Sequence, residues 1–470
     1  MTTFASAITN REARTENNMK ARASTANSVV DLFYKIGGLR GQNPIPAFEA
    51  AMASSPDLAV RVALWARDAR EGAGERESFR KILKHLDKFN PDVLTAILHK
   101  VPELGRWDDL LVIENTKVRP IVVDMIRKAL NDGSQLCGKW MPREKSSSDW
   151  KSKQARKLRK ELGLSARQYR KLLVSNTKVV EQDMCAKNWD KINFSHVPSL
   201  AAARYKNAFL KNAKERYEDY LSKLASGDKS VKVNASAVFP HDVMKDFRSG
   251  KGADLIRAQW DALPNYVGDK NILPMVDTSG SMTVGGYGAK TTFTPADIAF
   301  SLGVYLADKN KGPFKDCFLT FDSVSNLYNL KGDVISKFQQ MATAPWGGST
   351  NLHSAFDTIL NTARKANVPA SEMPDVVLIL SDMQFNQCVR FDDSAIQMIQ
   401  RKYSESGYEM PTVIFWNLRD AGNTPVQFNE KGVGLVSGFS PAIVKNILGG
   451  KNLTPYDLML DTIMNPRYDF

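Results

Sequence analysis

Asp277, Ser279 and Ser281, in "MVDTSGSMT" (275–283), place one carboxylate and two hydroxyls on a single short loop. After an apolar run, such a D-x-S-x-S stretch can hold a catalytic aspartate, ligate a hard cation, or only turn the chain. Aspartic-protease chemistry needs two carboxylates sharing a proton. Here the order is Asp-Thr-Ser, with no second copy. Phosphotransfer lacks both a second acid two positions on and a Gly-Lys-Ser/Thr phosphate loop. Ligation of Mg²⁺ calls for near-octahedral oxygen donors, more than one loop supplies. Two later stretches offer them: "PWGGSTNLHSAF" (345–356) carries Thr350 on a Gly-rich loop entering a helix, and "VVLILSDMQF" (376–385) ends an apolar run at Asp382. A metal-free turn is the alternative reading of the same residues. His353, one helical turn beyond Thr350, reads as a packing or capping residue.

The elements that must position these residues change character near residue 271. From there the chain alternates short β-rich apolar runs, at 271–277, 316–322, 375–382, 412–418 and 432–438, with helical stretches at 295–310, 351–366, 394–406 and 441–450. That alternation predicts a doubly wound parallel sheet covered on both faces. Ligands of such sheets bind beyond the carboxyl ends of the strands, at the point where strand order reverses.

Before residue 271 the apolar residues recur three and four apart, in helix after helix, punctuated by Gly, Pro and Asn. Short helices in series without strands predict an irregular α-solenoid, a plain helical bundle being the alternative. The fold class is therefore multidomain α + α/β: a flexible segment 1–25, a basic helical domain 26–265 and an α/β domain 266–470. "RDAREGAGER" (67–76) reads as a structural joint between helices, with Arg67, Asp68, Glu71, Glu75 and Arg76 pairing across it.

A chain of 470 residues exceeds one compact core, and 43% apolar with 24% charged residues is ordinary for a globular protein. No stretch approaches the roughly 18 apolar residues of a membrane span, and the first residues show no apolar secretory region. Four scattered cysteines and five dispersed histidines give no zinc spacing. The expectation is a cytoplasmic monomer without membrane contact.

The net charge of +13 is unevenly spread. Residues 1–270 hold 48 Lys and Arg against 32 acids, whereas residues 271–470 hold 16 against 19. The densest stretch, 151–180, has ten basic residues and one acid, and "CGKWMPREKSSSDW" (137–150) precedes it with two tryptophans. Clusters of this kind bind phosphate backbones, and aromatic rings stack bases. The candidate RNA contacts are Lys139, Arg143, Lys145, Lys151, Lys153, Arg156, Lys157, Arg159, Lys160, Arg167, Arg170 and Lys171; a solvated basic helix face is the alternative.

Asp277, Ser279, Ser281, Thr350 and Asp382, in that order on an α/β pattern, make residues 266–470 resemble a von Willebrand factor A domain with a metal-ion-dependent adhesion site. The resemblance implies that these five ligate Mg²⁺, or another hard cation such as Mn²⁺ or Ca²⁺, and that an acidic group of a protein partner takes the open position. Met383 departs from the pattern, since many relatives carry Gly there. A helical solenoid ahead of an A domain resembles the Ro autoantigen group, whose TROVE modules bind RNA. "RDAREGAGERESFR", "GKWMPRE", "FSHVPSLAAARYKNAF", "VNASAVFPHDV" and "WGGSTNLHSAFDTIL" resemble its branch in phages, large viruses and plants. This second resemblance implies a non-enzymatic ribonucleoprotein component that binds structured or single-stranded RNA. A metal-dependent interaction scaffold without RNA is the second expectation. A two-metal nuclease would need more clustered carboxylates than one per strand end.

Overall fold

The computed structural model describes residues 12–226, 228, 230–231, 238–250, 252–283, 293–321, 324–343, 349–387, 393–447 and 453–470. The described residues open with a hairpin of β1 (Glu12–Arg14) and β2 (Lys20–Arg22). Helices α1 (Ser28–Ile36), α2 (Ile45–Ser54), α3 (Pro56–Arg67), α4 (Arg76–Phe89), α5 (Pro91–Ile97) and α6 (Lys100–Leu104) follow. Next come α7 (Arg119–Asn131), α8 (Gln135–Trp140), α9 (Asp149–Glu161), α10 (Ala166–Ser175) and α11 (Val180–Cys185). The last helices before the sheet are α12 (Ser199–Asn212), α13 (Lys214–Ala225), α14 (Pro240–Arg248) and α15 (Ala253–Asp261).

Local sequence accounts for these helices. Asn27 caps α1 by accepting from the backbone N–H of Val29 and Val30. In α4, Phe79, Ile82, Leu83 and Leu86 are buried on one stripe. Consecutive helices α1 to α5 pack on one another. The stretch 199–227 divides at Ala213, whose extended φ of −143° separates α12 from α13.

The second half builds one six-stranded sheet: β3 (Ile272–Asp277), β4 (Cys317–Phe321), β5 (Leu327–Asn329), β6 (Val376–Ser381), β7 (Thr412–Asn417) and β8 (Val433–Ser437). Their order across the sheet is β5-β4-β3-β6-β7-β8, parallel except for β5 at the edge. Every residue of β3, β6, β7 and β8 is buried, so both faces of the central sheet are covered. Helices α16 (Pro295–Lys309), α17 (Val334–Thr343), α18 (Leu352–Lys365), α19 (Ala395–Ser406), α20 (Val444–Ile447) and α21 (Pro455–Ile463) belong to this half. The chain places β4 to one side of β3 and then β6 to the other, which puts the reversal of strand order at β3 and β6.

The two halves share their interior. One apolar cluster runs from Met19 to Tyr468 and takes in the helices and the sheet alike, so residue 265 marks a change of texture and charge without a gap in the core. A smaller cluster around Phe194, Phe209, Tyr217 and Tyr220 stands apart. Residues 12–25 correct the expectation of a flexible start. Met19 and Ala21 are buried, and Arg22 exchanges both backbone hydrogen bonds with Thr424 at 3.0 and 2.8 Å.

Two contacts seal the halves. At the end of α1, the Ser437 hydroxyl donates to the Phe33 carbonyl at 2.9 Å and accepts from the Gly37 N–H at 3.0 Å. A Cβ on Gly37 would come within 2.3 Å of the Gly438 nitrogen, so only glycine permits this approach. Farther along, buried Asp68 accepts from Arg467 at 2.5 and 3.0 Å and from the Tyr468 hydroxyl at 3.2 Å. The 67–76 stretch is thus a joint, but with distant partners: Arg67 pairs with Asp109, Asp68 with Arg467, and Glu75 with Arg40.

Removing Arg467 leaves the Asp68 carboxylate buried without its cation, which costs about 3–5 kcal/mol. Arg467→Ala should therefore lower the urea midpoint strongly. Lys223→Ala, which breaks an exposed pair with Asp219, should change stability by no more than about 0.5 kcal/mol. Equal midpoints for the two variants would show that the clasp does not hold the halves together.

Candidate functional site

Asp277 is the last residue of β3, and Asp382 directly follows β6, the neighbouring strand at the reversal of strand order. Both carboxylates are buried, as are Ser279 and Thr350. The Asp277 carboxylate accepts from the Ser381 hydroxyl at 2.5 Å and from the Ser279 N–H at 2.9 Å. The Ser279 and Ser281 hydroxyls stand 3.0 Å apart, and Ser281 hydrogen-bonds Asp382. Thr350 lies just ahead of α18, whose N-cap Asn351 accepts from the Ser354 N–H at 3.1 Å. Its carbonyl accepts from the Asn386 N–H at 3.0 Å, which fastens this loop to the one that follows Asp382. Residues 344–348 of the Gly-rich stretch lie outside the described residues.

The expected departure at Met383 is visible in the backbone. Its φ of +63° is left-handed, the region glycine occupies without strain, and its side chain is buried instead. His353 pairs with Asp357 at 3.0 Å.

Burial holds both carboxyl groups above their ordinary range. Asp277 is pushed up to about 7, first by loss of solvent and then by the Asp382 charge, while Ser381 and Ser279 oppose the shift. Asp382 is raised mainly by burial, with Glu16 adding to the rise and Ser281 and Arg419 working against it. The Arg419 guanidinium also donates to the Ser281 carbonyl at 3.3 Å.

The donor set is one of hard oxygens: two carboxylates and three hydroxyls. It fits a hard divalent cation better than a soft metal. The buried Thr278 hydroxyl, beside Asp277, has no hydrogen-bond partner among the described residues. Nor does the buried Tyr34 hydroxyl, whose titration is raised first by burial and then by the charges of Asp420 and Asp382. Among the described residues no group of three or more His, Cys, Asp or Glu side chains is placed to hold a metal. A cation here would rest on hydroxyls as much as on carboxylates.

Several site residues escaped the sequence reading. Ser381 is the last residue of β6, next to Asp382, and adjacency was its only signal. Glu16, Asn17 and Gln384 meet across the fold. Asn17 Nδ2 donates to the Thr350 hydroxyl at 3.2 Å and to the Gln384 carbonyl at 2.6 Å, and the Glu16 N–H donates to Gln384 Oε1 at 2.6 Å.

The basic stretch forms α9, α10 and the segment before them. Lys139, Lys145, Lys151, Lys153, Arg156, Lys160, Arg167, Arg170 and Lys171 are exposed. The other three candidates, Arg143, Lys157 and Arg159, are half-buried and bonded to neighbouring groups. Arg143 donates to the carbonyls of Gly138 and Met141 and to the Thr177 hydroxyl, at 3.1, 2.9 and 3.1 Å. Arg159 binds Glu144 and the Leu164 carbonyl, both at 2.8 Å, and Lys157 reaches Glu114 at 3.4 Å. Ser152, Gln154, Ala155 and Leu158 form the buried side of α9. Trp150 is 39% exposed among these lysines, whereas Trp140 lies under the Arg106 guanidinium at 3.9 Å.

Asp277 has a folded-state pKa above the unfolded value of about 3.9. Its penalty is absent below about pH 4, grows as pH rises from about 4 to about 7, and is complete above that. A bound cation offsets that penalty, so Mg²⁺ should raise the calorimetric melting temperature more at pH 8 than at pH 5. At a hundredfold excess over Kd the gain is about 2.7 kcal/mol. Asp277→Asn should abolish the Mg²⁺ response and stabilise the cation-free protein at pH 8. An equal Mg²⁺ response in that variant would exclude Asp277 as a ligand.

Residues 271–461 match the model of a domain of unknown function, DUF7788, and residues 133–273 match a second, DUF2828. The chain is 32% identical over 516 aligned residues to "Uncharacterized protein L728" of Acanthamoeba polyphaga mimivirus, covering 97% of this chain and 88% of that protein. Among solved structures, the Ro (RSR) protein of Deinococcus radiodurans overlays with a TM-score of 0.36 at 13% identity, covering 93% of each chain. At that score the likeness carries no functional argument.

Proposed function

The chain belongs to the same family as the uncharacterised mimivirus protein, and from that premise we propose a non-enzymatic RNA-binding protein with a divalent-cation site. The observation that carries this reading is the run of exposed lysines and arginines along α9 and α10, with the exposed ring of Trp150 at the start of α9. Glu161, the one acid in 151–180, is bound to Arg119 at 2.7 Å, so it does not neutralise that surface. Phosphates pair with such cations and release counterions, while an exposed indole offers a stacking platform for an unpaired base.

In the same reading, the sheet's site is an adhesion-type A-domain centre. Asp277, Ser279, Ser281, Thr350 and Asp382 would hold Mg²⁺, or Mn²⁺ or Ca²⁺ in its place. When bound, the cation supplies a positive centre that compensates two buried carboxylates and can accept one further oxygen ligand. Ser381 orients Asp277, and Arg419 balances part of the charge on Asp382. A second reading, a metal-dependent interaction scaffold, rests on that further ligand position.

Fluorescence anisotropy with a single-stranded RNA, over a series of salt concentrations, tests the RNA reading. A combined charge reversal of Lys151, Lys153, Lys160, Arg167, Arg170 and Lys171 to Glu should abolish binding at moderate salt and leave the melting temperature unchanged. In the wild type, log K should fall with log salt by about 0.7 for each phosphate neutralised. Arg143→Ala and Arg159→Ala should instead lower stability by about 1–3 kcal/mol through their lost hydrogen bonds. Undiminished RNA binding by the reversed variant would move the RNA elsewhere on the molecule, and no binding by the wild type at low salt would end this reading.

A further inference from the structure

We propose that the N-terminal hairpin is the internal occupant of the cation site, with the Glu16 carboxylate as the acidic ligand that completes it. The inference rests on the metal-site reading above and deepens it by naming the partner of the open position. The hairpin tip, Thr15–Met19, is fastened to the loop after Asp382 almost residue by residue. The Thr15 hydroxyl donates to the Phe385 carbonyl at 2.6 Å, and the Gln387 N–H donates to the Asn17 carbonyl at 2.9 Å. Asn18 Nδ2 donates to Gln387 Oε1 at 2.6 Å, and Asn18 itself turns the chain at a φ of +67°. Between these anchors, Asn17 reaches the Thr350 hydroxyl, one of the five candidate ligands. Glu16, the one acid of the tip, lies between Thr15 and Asn17, and its N–H donates to Oε1 of Gln384, two residues beyond Asp382, at 2.6 Å.

These contacts are not those of a tail that merely lies on a surface. The hairpin's own position is fixed by buried Met19 and Ala21 and, away from the tip, by the Arg22–Thr424 pairing. Immediately behind it, Ser24 and Thr25 bind the Asp31 carboxylate of α1 at 2.5 and 2.7 Å, so the strap is held at both ends. A carboxylate carried on such a rigid turn arrives at the site already positioned. Its effective concentration there exceeds that of any free acidic partner, which must first displace the tip. The site then acts as a clasp between the chain's first strands and its sheet.

Two measurements on full-length protein test this. Mn²⁺ binding is followed by titration with electron paramagnetic resonance, and amide exchange of residues 12–22 is measured with and without Mg²⁺. Loss of an outer ligand typically weakens metal affinity about ten- to a hundredfold, and Glu16→Gln should do so without changing the melting temperature of the metal-free protein. Mg²⁺ should slow exchange at the hairpin tip at least about tenfold in the wild type and not in Glu16→Gln. Wild-type Mn²⁺ binding matched by Glu16→Gln, with equal protection of the tip, overturns the proposal while leaving the metal site standing. No Mn²⁺ binding by the wild type overturns both.

Discussion

The structure turns on a place where two backbones must almost touch. Gly37, at the end of the first long helix, meets Gly438, at the end of the last strand, and the Ser437 hydroxyl stitches across the gap. Because α1 is seated there, the helices stacked on it extend from the sheet's β8 edge. The hairpin ahead of α1 is led back over the strand ends by the same seating. The Asp68–Arg467 clasp repeats the arrangement at the end of α3. What reads as two halves in sequence is therefore one body with one interior.

The site is an electrostatic problem set by that topology. Reversal of strand order places two strand ends side by side, and each carries an aspartate into a space without solvent. Hydroxyls from Ser279, Ser281 and Ser381 and the guanidinium of Arg419 lessen the repulsion but do not remove it, since both acids stay raised. Left-handed Met383 belongs to the same problem. The loop after β6 must turn sharply to keep Asp382 over β3, and the strain of a non-glycine residue is offset by burial of its side chain.

Much of this was legible in the sequence. All five apolar runs became strands of the sheet with boundaries within a residue, because a strand buried on both faces leaves no polar alternation to confuse the reading. The aspartates at the ends of β3 and β6 followed from the same pattern. The hairpin was not legible. "EAR" and "KAR" have neither length nor β-rich composition, and their pairing is stabilised by contacts with residues more than 360 positions away. For the same reason Arg143 and Arg159 read as surface cations: nothing local reveals that Glu144 and the turns around them need a donor.

The Ser437 bridge to Phe33 spans 404 positions of chain. On the ribosome, α1 emerges long before the strand that receives it exists. During that interval Val29, Leu32, Phe33 and Ile36 have no sheet to cover them. Helices can form as they appear, but the native arrangement waits for translation of the final strand and of Arg467 beyond it. A core closed across 404 positions of chain has a high contact order and a correspondingly slow final step. Until β8 and Arg467 have been made, the nascent chain carries an apolar helix face with nothing to bury it.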